Sequence, residues 1–257
     1  MSELFSIQLQ NRQQQGRDGV WLDLPTTTEQ VQAALRQIGI SSDNPQGLFI
    51  SGYFAEEEKR FAIPYNMVLA SNVDELNFLA SRLETLSAGE RAELNAALQA
   101  PQSKLFSIGR ITDFPENVDY YVHLPDVRGP AQLGDYYLNR SGMVDMPEEW
   151  KGGIDTAQFG RYVAQQEQGV FTEYGYLVKS GDVWQKVHEG QPVPEEYRVL
   201  SFPAPEVLRD AANIPPPVQP ETEPQKVIPI ILNGKDSAER MKEITDRLET
   251  GIQELFD

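Results

Sequence analysis

The sequence predicts an α+β chain, an elongated series of three small segments followed by a proline-rich linker and a terminal helix. Three observations lead there. Short β-branched and aromatic runs alternate with capped helical stretches, the apolar spacing of the middle third is wholly helical, and five prolines crowd the stretch from Pro215 to Pro224. Residues 1–60 read as an N-terminal α+β domain, 61–103 as a helical hairpin and 104–202 as a C-terminal α+β domain. Residues 203–226 read as the linker and 227–257 as a strand and amphipathic helix tail.

In the first segment, residues 4–9 and 18–24 predict two strands around the polar turn Asn11 to Gly16. Thr26 and Glu29 have capping-box spacing, Val31, Ala34, Leu35 and Ile38 make a helical stripe, and Gly39 supplies the stop. Leu48 to Phe54 is an apolar strand, which completes a ββαβ-like unit. The run Glu56-Glu57-Glu58 that follows reads as a solvated loop.

The second segment opens with Ser71 as a cap and Val73, Leu76, Leu79, Leu83 and Leu86 as one apolar stripe. Ser87 and Glu90 form a further capping box, Leu94, Ala97 and Leu98 face inward, and Pro101 lies just past the end. Helices this short need neighbours to cover their apolar faces.

In the third segment, Leu105 to Ile111 and Asp119 to Leu124 predict strands, and Ala131 to Leu138 a short helix before the loop Ser141 to Gly153. Asp155 caps a helix with Gln158 three residues on, Phe159 and Val163 share a face, and Gly169 is the expected left-handed stop. Val170 to Val178 then reads as a strand in which Gly175 marks a bulge or a close backbone approach. Residues 182–200 read as a short strand extension. Val227 to Leu232 predicts a strand, and Met241, Ile244, Leu248, Ile252 and Leu255 stripe the terminal helix.

The run D-x-x-x-F-G-R-x-x-A-x-x-x-x-G-x-F-T-x-x-G-Y, from Asp155 to Tyr176, resembles the C-terminal signature of ArdA-type antirestriction proteins. Val20-Trp21-Leu22-Asp23-Leu24-Pro25, Asp74-Glu75-Leu76-Asn77-Phe78-Leu79-Ala80 and Leu133-Gly134-Asp135-Tyr136-Tyr137 resemble the family's other landmarks in the same order, over roughly residues 1 to 180. The tail segment MKEITDRLETGIQELF resembles the opening helix of ArdC-type N-terminal domains. The first resemblance implies a dimeric, acidic DNA mimic, carried by conjugative elements, that occupies the DNA groove of type I restriction-modification enzymes. Its partners would be the DNA-binding subunits of that enzyme and a second copy of the chain. A cytoplasmic location is expected because the N-terminus lacks a basic region followed by an apolar core and no run of about 18 apolar residues occurs.

Charge fits such a role without requiring it. The chain carries 39 Asp and Glu against 22 Lys and Arg, a net −17, and up to Pro203 the tally is 28 against 16, a net −12. Phosphate contacts need clustered cations, so direct nucleic-acid binding is not expected. The same charge also serves plain solubility. The carboxylates expected to stand in for phosphates are Asp74, Glu84, Glu90 and Glu93 on the hairpin, Asp113, Glu116, Asp119, Asp126 and Asp135 in the third segment, and Asp145, Glu148 and Glu149 beyond.

Chemistry offers little else. No cysteine is present, and His123 and His188 have no triad context. Asn233-Gly234-Lys235-Asp236-Ser237 has too few glycines to cradle a phosphate, and no metal-ligand spacing occurs. The expectation is a non-enzymatic protein with no cofactor and no membrane span. The rival reading is a protein-binding scaffold of a mobile genetic element that uses its linker and tail for tethering.

Overall fold

The computed structural model describes residues 3–14, 18–56, 60–101 and 103–204. The linker beyond Ala204, the tail strand and helix, the ArdC-like segment, and Glu57 and Glu58 lie outside the described residues. The described part is α+β, with eight α-helices and two antiparallel three-stranded sheets.

Strands β1 (Phe5–Asn11), β2 (Val20–Leu24) and β3 (Leu48–Phe54) form the first sheet in the order β2-β1-β3. Period-two alternation fixes the register. Phe5, Ile7 and Leu9 point inward and are buried, Phe5 pairs with Leu24, and a bulge between Gln8 and Leu9 keeps Leu9 opposite Ile50 on the core side. Helix α1 (Thr28–Gln37) closes this sheet through Val31, Ala34 and Leu35. Its capping box is formed by Thr27 and Gln30, one residue later than the sequence spacing suggested. Thr26 is occupied elsewhere, because it is buried and its amide donates to Asn77 Oδ1 at 2.7 Å. Gly39 does terminate the helix, at φ +68°, and the buried Asn11 donates to the carbonyls of Ile38 and Gly39.

Helix α2 (Tyr65–Leu69), which the sequence reading did not include, precedes α3 (Val73–Leu83) and α4 (Ala88–Gln99). The cap of α3 is Asn72 with Glu75, not Ser71, whose hydroxyl instead donates to Met67 O and closes α2. The predicted stripe of α3 is buried throughout, and the Ser87–Glu90 box opens α4 as expected.

Leu105 to Ile111 is not a strand. Helix α5 (Ile108–Thr112) starts there under a Ser107 cap, and Leu105, Ile108 and Ile111, three apart, are all buried. The alternation mistaken for a strand is the same set of residues seen at helical spacing. After 3-10 turns at Phe114–Glu116 and Val118–Tyr120 come β4 (Tyr121–Leu124), α6 (Pro130–Asp135) with a π-turn Tyr136–Arg140, the single turn α7 (Glu148–Lys151), α8 (Thr156–Glu167), β5 (Val170–Thr172) and β6 (Gly175–Lys179). The second sheet has the order β4-β6-β5.

Buried residues do not stop at positions 60 and 103. One cluster runs from Leu4 and Leu24 through Leu76, Leu83 and Leu94 to Ile111, Tyr121, Leu177 and Val199, drawing on all three segments. A small satellite cluster of Val127, Leu133 and Tyr176 lies under α6 and α8. Residues 182–200 form no strand: apart from a 3-10 turn at Glu195–Tyr197 they run as an irregular strap across the helices.

Candidate functional site

The signature from Asp155 to Tyr176 is packing chemistry. Asp155 Oδ1 accepts the Gln158 amide at 3.0 Å, capping α8. Helices α6 and α8 then cross at glycines: a Cβ on Gly160 would lie 1.8 Å from Pro130 O, and one on Gly134 would lie 1.9 Å from Thr156 O. Only hydrogen fits at that crossing. The left-handed residue ending α8 is Gln168, at φ 56°, not Gly169. Gly169 is small for another reason, since a Cβ there would meet the Tyr176 hydroxyl at 1.9 Å. Tyr176 donates to Glu167 Oε2 at 3.0 Å, and Tyr137 donates to the other oxygen of the same carboxylate. Burial, reinforced by the Glu167 charge, pushes both phenols above the ordinary tyrosine range. Thr172 Oγ1 donates to Gly175 O and accepts from Tyr174 N, closing the hairpin. Gly175, at φ +130°, lets the backbone approach Leu124 O, so the close-approach reading holds.

The twelve candidate carboxylates separate into distinct roles. Asp113 is fully buried, and its two oxygens accept the amides of His188 at 2.6 Å and Glu189 at 3.2 Å. It does not face solvent, which corrects its assignment as a phosphate substitute. Asp74 is half-buried, and its Oδ1 accepts the amides of both Val199 and Leu200 at 2.7 Å. Glu116 is paired with Arg82, so its charge is neutralised at source. Asp135 pairs with Arg140 at 3.3 Å and Glu148 with Lys151 at 2.9 Å.

Glu90 and Glu93, three residues apart on α4, diverge. Hydrogen bonds from the Ser87 side chain and amide hold Glu90 below the ordinary carboxylate range. Glu93 is pushed up to about 8, chiefly by burial and then by the charges of Glu90 and Asp119, and its Oε1 is buried without a partner. Near neutral pH Glu93 is therefore mostly protonated and supplies no phosphate-like charge. Glu84 ends α3 half-buried. Asp119, Asp126, Asp145 and Glu149 are exposed and carry no ion pair among the described residues.

Sequence reasoning passed over Glu195 and Glu196, both exposed. The signal was there. Pro147-Glu148-Glu149-Trp150 and Pro194-Glu195-Glu196-Tyr197 repeat one pattern, and each forms a single helical turn with proline at its N-cap and two carboxylates in solvent.

Both histidines serve the fold. His123 Nε2 lies 2.9 Å from Tyr174 O between β4 and the β5–β6 turn, and the His188 ring packs edge-on against Phe78 at 4.9 Å. No cluster of His, Asp and Glu among the described residues could hold a metal ion, and no described helix is long and apolar enough to cross a membrane. A groove of about 870 Å³ lies between α3, α5 and the strap, walled by Phe78, Phe106, Ile108, His188, Val193 and Arg198.

The landmarks thus sit where they build a hairpin, a helix crossing and a tyrosine-carboxylate cluster, and comparison with known families decides what they mean. The family described as Antirestriction protein (ArdA) matches residues 15–178. The chain belongs to this ArdA family. No curated protein sequence matches it. Family membership implies an antirestriction function with restriction enzymes as partners, and the match covers all four landmarks, with the first strand before its start. The strap from Ser180 to Pro203 lies beyond the matched span.

Proposed function

We propose that the protein is an acidic DNA mimic that occupies the DNA-binding groove of a type I restriction-modification enzyme in the cytoplasm, acting as a homodimer and without chemistry of its own. The observation that carries this reading is the set of exposed carboxylates that make no ion pair among the described residues. Asp119, Asp126, Asp145 and Glu149 stand on short turns and loops, and Glu195 and Glu196 add a further turn. B-DNA carries a charge per roughly 1.7 Å of axis, and a groove lined with Lys and Arg to meet it accepts carboxylates presented on a folded surface.

Asp113, Glu93 and Glu116 drop out of this surface through burial, protonation and pairing. Asp74 and Glu90 serve first as structural acceptors. The net −12 before the linker supports the reading at long range, where steering depends on summed charge.

The test is a binding assay between the full chain and a purified type I methyltransferase core, run with and without duplex DNA. Mimicry requires that DNA of any sequence displace the protein and that affinity fall as salt rises. Binding that DNA leaves untouched would favour a scaffold over a mimic.

A further inference from the structure

The strap from Ser180 to Pro203 is held in an unusual way. Few of its side chains are fully buried: Val199 and Pro203 are, and Trp184, Leu200 and Phe202 pack half-buried against the core, while Val183 is 87% exposed and Val187 43%. Its backbone is gripped instead by side chains of the family-matched body. Asn117 accepts the Gln185 amide at 2.7 Å and donates to the Gln185 carbonyl at 3.0 Å, as a neighbouring strand would. Asp113 takes the amides of His188 and Glu189, and Arg110, itself buried, binds the Glu189 carboxylate at 2.6 Å. Farther on, Asn77 donates to Tyr197 O at 3.0 Å while its oxygen accepts the Thr26 amide, and Asp74 takes Val199 and Leu200. The far end reaches the first segment, where Gln32 donates to Ser201 Oγ and Ser42 N donates to Pro203 O.

The strap therefore starts at the end of β6 in the second sheet and finishes on the segment that carries the first. Carboxylate acceptors form the stronger class of hydrogen bond, and two of the four anchoring side chains are aspartates. An irregular segment whose own backbone forms no ladder gains one fixed position from such anchors, added to the packing of Trp184, Val199 and Phe202.

We infer that Asp74, Asn77, Asp113 and Asn117 are positioning residues for antirestriction: they clamp the strap, and the clamped strap holds the exposed Glu195 and Glu196 turn that it carries. This rests on the mimic reading for its functional consequence, but the clamp itself is read from geometry. Asp74 thereby changes role, from a charge offered to the partner to an acceptor turned on the chain's own backbone.

The two roles separate under substitution. Asp74→Asn keeps an oxygen for the Val199 and Leu200 amides and removes the charge, whereas Asp74→Ala removes both. Hydrogen exchange of the strap amides and affinity for the type I methyltransferase core are measured on the full chain for each variant, with Asn117→Ala as a second loosening variant away from Asp74. The clamp predicts that both alanine variants speed exchange of the strap amides by about tenfold or more and weaken binding, while Asp74→Asn, which keeps the acceptor but not its charge, lies between wild type and Asp74→Ala in both. If Asp74→Asn binds as poorly as Asp74→Ala with its strap amides still protected, Asp74 is a direct charge contact and the inference fails. Alanine variants that loosen the strap and bind normally also overturn it. A wild-type protein that does not bind the core would refute the mimic reading separately, and the clamp then stands or falls on exchange alone.

Discussion

The ring of Tyr176 lies directly on Gly169, with its hydroxyl bonded to Glu167 at 3.0 Å, so the glycine that follows α8 is there to make room for a phenol. Replacing it with alanine pushes a methyl into that ring and frees the carboxylate from one of its two donors. Gly169→Ala is expected to cost about 2–3 kcal/mol, from overpacking plus the strained hydrogen bond. Urea unfolding checks it. A change under half a kilocalorie would mean that the satellite cluster is slack enough to absorb the methyl.

Gly160→Ala makes a harsher demand, because the added Cβ meets a backbone oxygen, Pro130 O, and no side chain can rotate away. The α6–α8 crossing must open, uncovering Leu133 and Val127. A loss of about 3 kcal/mol or more is expected, read as a lowered unfolding midpoint or as early melting of the near-ultraviolet signal. Wild-type stability would show that the two helices are not in contact.

Glu93 links the fold to pH. Its folded-state pKa, about 8, lies above the ordinary value of 4.5, so the native state binds the proton more tightly than the unfolded chain does. The stabilisation from that proton is complete below about 4.5 and is lost as pH climbs to about 8. Glu93→Gln holds a neutral group of the same shape throughout. The variant should match wild type near pH 5 and melt at a higher temperature by pH 8.5, and parallel melting curves across that range would place Glu93 in solvent.

Glu116 and Arg82 bond on a partly exposed surface, with side chains 30% and 23% accessible. Screening limits the pair, so Glu116→Gln should cost about 1 kcal/mol. Because Arg82 already cancels its charge, the substitution should leave inhibition of a restriction enzyme unchanged. A marked loss of inhibition at near-native stability would return Glu116 to the list of partner contacts.

Much of this fold was legible because apolar spacing and caps act locally: the α3 stripe, the Ser87–Glu90 box and the β1–β2 and β3 runs follow from neighbours within a few residues. Errors arose where a distant residue decides. Thr26 looks like a cap until Asn77, 51 positions away, takes its amide. Gly169 looks like a stop until Tyr176 folds over it. The candidate site was the least legible part, since an aspartate in a sequence carries no sign of whether it faces water: Asp113 and Asp119 differ by six positions, and one is sealed beneath the strap while the other is exposed.

The remaining exposed acids supply the functional test that the fold allows. Reversing Glu90 would confuse two effects, because its carboxylate caps α4 through the Ser87 amide at 2.7 Å. Asp119, Asp145 and Glu149 have no such duty, being exposed and unpaired among the described residues. Combined reversal to lysine, Asp119→Lys with Asp145→Lys and Glu149→Lys, should therefore leave the unfolding free energy within about 0.5 kcal/mol of wild type. It shifts net charge by six units toward the positive, and Asp119→Lys also brings a cation toward Glu93, which should move that carboxyl back toward its ordinary range. If these groups replace phosphates, affinity for the methyltransferase core should drop by at least tenfold at low salt, and the slope of log affinity against log salt should flatten, because fewer charge contacts remain to be screened. The control is the neutral set, Asp119→Asn with Asp145→Asn and Glu149→Gln, which should fall between the two. Equal binding by all three proteins would assign the antirestriction surface to other residues, with the Glu195 and Glu196 turn the next to reverse.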